Sequence, residues 1–472
     1  VDYNSYGVQE GAPTAFPVVV STEAGAFGCE SLAQAFTDSS SLGKVTFTLQ
    51  QNITDQVKQT LRNRNFDLTL DLNGHTLTFT DGAYFDVTTG NLTVTGSGTL
   101  SGSTVAPIWV KGGSKATDEN YTNVTVTGDV KVTGPNAVKL YATSFGRSSG
   151  ANVTLKGNAV CETTGAGILV DSSITASDGT LSTVTLSENA KIVSDGVAIQ
   201  GDGYATCSIS GGTIQSQGAP ITATNTAFAI SGGTFSQKPD NAWFADGFIP
   251  VDKGDGTFGV AAGSFAAEIN GEKYLTLQEA IAAVPANGAE ATTITLLDDV
   301  TSAGSLTFTN GQKAILNMNG KTVTFTSGKL QLLTSASLTL TGEGSLVCQT
   351  RSTGAISIYG NETSQIDLLV DSGVTVDGHY GIVLFGDDGA PACRNVTVTV
   401  KGTVKTSEGG TALYVNGTVN DLEGPVPQIT LAEGATVEAV SVGIYAAGYA
   451  KWDLAGTINA AYAISIKSGD FN

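Results

Sequence analysis

Apolar and polar residues alternate along most of this chain with a period of two. Typical runs are LTVTG at 92–96, NVTVTG at 123–128 and LTLTG at 338–342, each closed by Gly. Period-two alternation predicts short β-strands with one face buried, and Gly after each run predicts a tight turn. A second strand type, small-Ile-x-Val, recurs between these runs: Ala355-Ile356-Ser357-Ile358, Gly381-Ile382-Val383-Leu384, Ala412-Leu413-Tyr414-Val415, Gly443-Ile444-Tyr445-Ala446 and Ala463-Ile464-Ser465-Ile466. Strand alternation then places Ile356, Ile382, Leu413, Ile444 and Ile464 inward, together with Leu384 and Val415.

The pattern is written twice. LDLNGHTLTFT at 70–80 returns as LNMNGKTVTFT at 316–326, and LTVTGSGTL at 92–100 as LTLTGEGSL at 338–346, both at an offset of 246. The closing residues Gly74, Gly96, Gly128, Gly157, Asn189 and Gly212 are spaced by 22, 32, 29, 32 and 23. In the second copy Gly320, Gly342, Gly373, Gly402, Gly434 and Gly456 are spaced by 22, 31, 29, 32 and 22. A step of 22 holds three short strands and three turns, one coil of a parallel β-helix; the longer steps are coils with one enlarged turn. Nested repetition of this kind is the signature of a solenoid. The expected fold is all-β: two tandem right-handed parallel β-helices, each with a short N-terminal capping helix. Right-handedness follows from the crossover rule for parallel strands.

The first copy is expected over 1–262, with its helix near 30–37 and a closing hairpin near 247–260. The second is expected over 263–472, with its helix at 277–284. Thr276 and Glu279 have capping-box spacing, and Leu277, Ala280, Ile281 and Val284 follow at helical intervals. In the first copy Ser31 and Gln34 are spaced likewise, with Leu32, Ala35 and Phe36 on one face. The chain starts at Val1 without Met, and the second copy has no tail like the 247–260 hairpin. A piece of a longer protein is the expectation.

With 472 residues, 40 % of them hydrophobic, there is material for two sizeable cores. A formal charge of -20 with no basic stripe speaks against nucleic acid. No apolar run reaches the roughly 18 residues of a membrane span. The five cysteines, Cys29, Cys161, Cys207, Cys348 and Cys393, form no CxxC and no disulfide framework. A monomer is expected.

The segments LQEAIAAV at 277–284, ITLLDDV at 294–300, LDLNGHTL at 70–77, and SGGTF at 231–235 through ADGF at 245–248 resemble secreted, repeat-containing surface proteins of anaerobic Gram-positive bacteria with pectate-lyase-like β-helices. The resemblance implies an extracellular or cell-wall-associated protein and carries no catalytic residue with it.

Asp387-Asp388 and the near-motif Gly378-His379-Tyr380-Gly381 stand in the reverse of the order that polygalacturonase-type hydrolases resemble, and the basic motif is missing. His75 and His379 fall at different coil positions, so no nucleophilic triad can be assembled and no catalytic residue is assigned. Asp367, Asp371 and Asp377, with Arg351 and Arg394 nearby, are spaced for Ca²⁺ and a base; the competing reading is that coil turns favour Asp for backbone reasons. Coils of unequal length exclude the flat lattice of an ice-binding face.

The outward side of the small-Ile-x-Val strands says more. Alternation turns Tyr359, Phe385, Tyr414 and Tyr445 to solvent as a diagonal aromatic strip, and in the first copy Trp109 and Tyr141 beside Lys139, Leu169 and Gln200. Exposed aromatic rows can stack on sugar rings; alternatively they stack on each other. The functional expectation is a secreted or surface structural and binding protein, adhesin-like or a glycan-binding stalk for a host or cell-surface ligand. The alternative is a polysaccharide lyase or glycoside hydrolase acting on acidic glycans.

Overall fold

The computed structural model describes residues 16–115, 122–143, 145–361, 363–386, 394–416, 425–467 and 470–471. The chain divides into two compact units, Val1–Gly263 and Ser264–Asn472. Both are built from short β-strands, with α-helix only at Leu32–Ser39 and Leu277–Ala283 among the described residues.

Strand partners come from successive turns of the repeat and run parallel. In the first unit Leu68, Leu92, Val124, Val153, Val184, Cys207 and Phe228 pair one after another. In the second, Ile294, Leu316, Leu340, Val370 and Val400 stand on strands paired in the same manner. The first unit forms one connected 23-stranded sheet; the second forms a 10-stranded and a 12-stranded sheet. Long parallel ladders built from such short strands are the architecture of a β-solenoid. Neighbouring coils lie about 4.8 Å apart across each ladder.

The alternation determines what is buried. Ile356, Ile382, Leu413 and Ile444 follow one another in register, each at most 2 % exposed, with Leu384 and Val415 buried beside them. Each contributes roughly 1.5–3 kcal/mol of burial. Ile464 continues this column opposite Ile444 but is 40 % exposed. Its strand, Thr457–Ile466, pairs with Thr436–Ala446 on one side and with no described strand on the other, which leaves it partly exposed.

The turns are also duplicated. Asn73 and Gly74 both adopt positive φ, as do Asn319 and Gly320. Asn73 donates to Leu49 O at 3.0 Å, and Asn319 to Leu296 O at 2.9 Å. At the fifth marker of the first copy the left-handed residue is Glu188 rather than Asn189.

Each unit opens with antiparallel strands and a helix. Val18–Thr22 pairs with Gly25–Cys29 and Lys44–Leu49; Ala267–Ile269 pairs with Glu272–Tyr274 and Thr292–Leu296. In the first helix Ser31 Oγ accepts from Gln34 N, Gln34 Oε1 accepts from Glu30 N, and Leu32 and Ala35 are buried. In the second, Thr276 and Glu279 form a reciprocal capping box over buried Leu277, Ala280 and Ile281. The first unit closes on an antiparallel hairpin, Phe248–Asp252 with Phe258–Ala262, and Phe258 pairs back to Phe235.

Candidate functional site

Three-residue strands such as Ile108–Val110 and Val138–Leu140 bury their ends and turn the middle residue outward. In the first unit the outward column runs Thr60, Asp86, Trp109, Lys139, Leu169, Gln200 and Thr222. Two residues further along each strand stand Lys111, Tyr141, Asp171 and Asp202, fixed by backbone bonds to Val87, Val110, Leu140 and Val170.

These columns form a connected polar and aromatic network. Tyr84 and Trp109 stack with centroids 4.5 Å apart, and Tyr141 meets Trp109 edge-on at 5.3 Å. Beneath them Asp86 is 3 % exposed. It accepts a hydrogen bond from Tyr141 Oη at 2.7 Å and one from Lys58 Nζ at 3.3 Å. Burial, then the hydrogen bond to Asp86 and its charge, push the Tyr141 phenol far above its ordinary value. Lys58 Nζ lies 5.6 Å over Tyr84, and Lys139 Nζ lies 4.6 Å over Trp109 while pairing with Asp171 at 2.7 Å. Burial works to raise the Asp171 carboxyl, but hydrogen bonds from Lys139 and Ser173 outweigh it and hold the group below the usual carboxylate range.

In the second unit the same column runs Thr307, Gln331, Ser357, Val383, Tyr414, Tyr445 and Ser465. Tyr359, Phe385, Tyr414 and Tyr445 are all half-buried. They do not make one diagonal strip. Tyr359 stacks on Phe385 at 5.3 Å, and Tyr414 stacks on Tyr445 at 5.2 Å with Tyr380 tilted against Tyr414 at 6.1 Å. Residues in register on adjacent coils sit about 4.8 Å apart, close to ring-stacking distance, so rings on the same column take each other as partners. Lys329 lies beyond the hydroxyl end of Tyr359 and donates to its Oη at 2.8 Å. Tyr445 has the small Ser465 as its next partner in register.

Asp367, Asp371 and Asp377 are not gathered into one ligand set. Asp367 accepts from Gln365 at 2.8 Å, Asp371 lies 3.9 Å from Lys401, and Asp377 accepts from the Ser407 hydroxyl, which both its oxygens approach, and pairs with Lys405 at 3.4 Å. Arg351 pairs with Glu408, while Arg394 is 8 % exposed and donates to Pro425 O. Among the described residues no three His, Cys, Asp or Glu side chains stand where a metal could be held. The spacing in sequence had looked adequate, but the three carboxylates belong to different strands and turns, each already engaged.

Asp387-Asp388 and Cys393 lie outside the described residues. His379 sits edge-on to Tyr380 at 4.8 Å. Cys161 and Cys207 are core residues whose thiols burial pushes up to about 12, which leaves them chemically quiet. A cleft of about 440 Å³ on another face of the first unit is lined by Glu162, Asp195, Thr163 and Ser103; Glu162 pairs with Lys131 at 2.5 Å.

Lys58, Arg62, Tyr84, Asp86, Lys329 and Tyr380 had no signal in the small-Ile-x-Val pattern. Asp86 could have been placed by counting one coil back from Trp109, whose in-register partner it is. Set against protein-family models, curated protein sequences and solved structures, the chain has no match in any of the three.

Proposed function

We propose that this chain is a secreted or cell-surface binding protein, a β-helical stalk whose decorated faces hold a glycan. In this reading it consists of two tandem right-handed parallel β-helices of the pectate-lyase-like kind. The helices Leu32–Ser39 and Leu277–Ala283 cover the first coils. The parallel ladders and the repeated antiparallel-strand-and-helix starts support that architecture, and the crossover rule supplies its hand.

One observation carries the functional reading. The outward columns of equivalent strands in both units concentrate half-buried aromatics, Tyr84, Trp109 and Tyr141 in one and Tyr380, Tyr414 and Tyr445 in the other. The inward columns are mostly aliphatic, with Gln59, Phe85 and Phe308 on the first coils, whereas these rings stand on the outward side. Ring edges and hydroxyls arrayed along a stack suit an extended polar chain with apolar ring faces.

The test is a glycan-array screen of the full chain, followed by titration of the best ligand. Tyr414→Ala and Tyr445→Ala should each weaken binding by roughly 1–3 kcal/mol with little change in melting temperature. Unchanged affinity in the double variant would remove this row as a site.

A second reading, a glycoside hydrolase, is favoured by Glu162 and Asp195 sharing the 440 Å³ cleft. Two carboxylates flanking one cleft can serve as acid and base. Release of reducing ends from a polysaccharide, lost in Glu162→Gln, would establish it over binding alone.

A further inference from the structure

The ligand's charge can be taken further, on the premise that the aromatic faces bind a glycan. In the first unit the ring faces are already spoken for. Tyr84 and Trp109 cover each other, and Lys58 and Lys139 lie over them. The rings therefore brace ammonium groups at the surface rather than offering bare faces, and a braced lysine loses less rotamer entropy when it meets an anion.

The charges on this face do not cancel evenly. Lys58 is met by Asp86 and Lys139 by Asp171. Two more cations are met by no carboxylate among the described residues. Arg62 is exposed and has no hydrogen-bond or ion-pair partner among them; the Lys111 ammonium donates, among them, to the Thr143 hydroxyl at 3.1 Å. Arg62 stands opposite Thr89 on the next coil, and the coil after that carries Lys111, whose N–H bonds Val87 O. Two coil spacings separate them, about 10 Å, which is close to the length of a disaccharide unit. Of the other described carboxylates nearby, Asp55 accepts from Gln59 at 2.8 Å beside the early coils, and Asp202 lies on a coil beyond Asp171 and is bonded by Gln200 at 2.7 Å. The early coils are thus positive and the later ones negative, in a protein whose formal charge is -20.

We infer that the early coils of the first unit bind an anionic glycan, its carboxylate or sulfate groups paired with Arg62 and Lys111 and its sugar edges set against Tyr84, Trp109 and Tyr141. Elsewhere the acidic surface repels such a polymer. At 0.1 M salt that repulsion is screened beyond about 10 Å, so a local pair of cations can prevail.

The experiment is isothermal titration of the full chain with three probes: a hyaluronan oligosaccharide with one carboxylate per disaccharide, a heparin oligosaccharide with sulfates, and a neutral malto-oligosaccharide of equal length. At least one acidic probe should bind about tenfold tighter than the neutral one, and the Arg62→Gln, Lys111→Gln pair should lose about that factor. The same pair should flatten the salt dependence, whereas Lys191→Gln, on another face of the same unit, should change neither. The stronger acidic probe tells carboxylate from sulfate. Equal binding of all three probes, with the double variant silent, would overturn this inference and leave the glycan reading standing. Binding of none, with Trp109→Phe and Tyr445→Ala also without effect on any array ligand, would overturn both.

Discussion

Coil for coil, the outward column of the first unit reads Thr60, Asp86, Trp109, Lys139, Leu169, Gln200, Thr222, and that of the second Thr307, Gln331, Ser357, Val383, Tyr414, Tyr445, Ser465. The residues on either side of each are buried in both, apart from the last coils, and mostly aliphatic, with Gln59, Phe85 and Phe308 on the first coils. One column carries its charge and aromatic rings on early coils; the other is uncharged and carries its rings late. The two units share a largely apolar, buried character at inward positions, where packing excludes charge, and differ at outward ones, where it does not. The first unit sets lysines against its rings, and the second builds its rings into stacks.

The largest effect should fall where the units are alike. Ile108→Ala and Ile356→Ala each remove a fully buried side chain from matching positions, and each should cost roughly 2–5 kcal/mol in denaturant unfolding. If one were tolerated, the two cores would not be packed alike and the comparison would lose its baseline.

Next comes the position where they differ most. Asp86→Ala strips an acceptor from Tyr141 and Lys58 in a place that is 3 % exposed, and should cost about 1–3 kcal/mol. Gln331→Ala, at the same place in the second unit, should change stability by less than about 0.5 kcal/mol.

Alkaline titration sharpens the contrast. The folded Tyr141 phenol is raised by burial and then by Asp86, so its contribution is complete below the unfolded tyrosine value of about 10 and is lost as pH rises through the folded value. Tyr414 is raised in the same direction, by burial and then by the neighbouring Tyr445 and Tyr380, without a carboxylate. Phenolate absorbance should show a late ionisation that Tyr141→Phe removes, and a less delayed one that Tyr414→Phe removes. A wild-type curve with every tyrosine ionising near 10 would contradict both.

The part-exposed pair should contribute less than Asp86 does. Lys139→Met should cost under about 1 kcal/mol at neutral pH. The Asp171 carboxyl is depressed when folded, so the pair's contribution is present above the unfolded value of about 4 and lost as pH falls through the folded one. The variant and wild type should therefore converge in melting temperature in acid.

Alternation alone was enough to order Ile356, Ile382, Leu413 and Ile444 into a buried column, because a period of two leaves only two faces to choose between. It failed at Ile464, where burial depends on a neighbouring strand and not on local pattern. The aromatic rows were legible as outward positions but not as stacks. Whether Tyr359 meets a sugar or Phe385 depends on which coils come into register, and insertions in the turns hide that register. Asp86 was missed for a similar reason: Phe85-Asp86-Val87 carries no small-Ile-x-Val form, so its place beneath Tyr141 appears only once the coils are stacked. Asp367 was misread as a cation ligand because its true column, which pairs it with Ser337 and Thr397, is a polar ladder along the solenoid.

The matching ladder in the first unit is a row of amides. Asn123 donates to Asn91 and Asn152 to Asn123, both at 2.8 Å, and the Thr183 hydroxyl donates to Asn152 at 2.5 Å. Every bond points toward the preceding coil. Such a row tolerates change unevenly over evolutionary time. A coil spliced into it must bring a side chain at that position able both to accept and to donate, or it severs the row above from the row below. The turns carry no such obligation, and it is there that steps of 22 residues have grown to 32. A longer loop leaves this row untouched, whereas a new rung extends it only with a side chain such as Asn or Thr at that position.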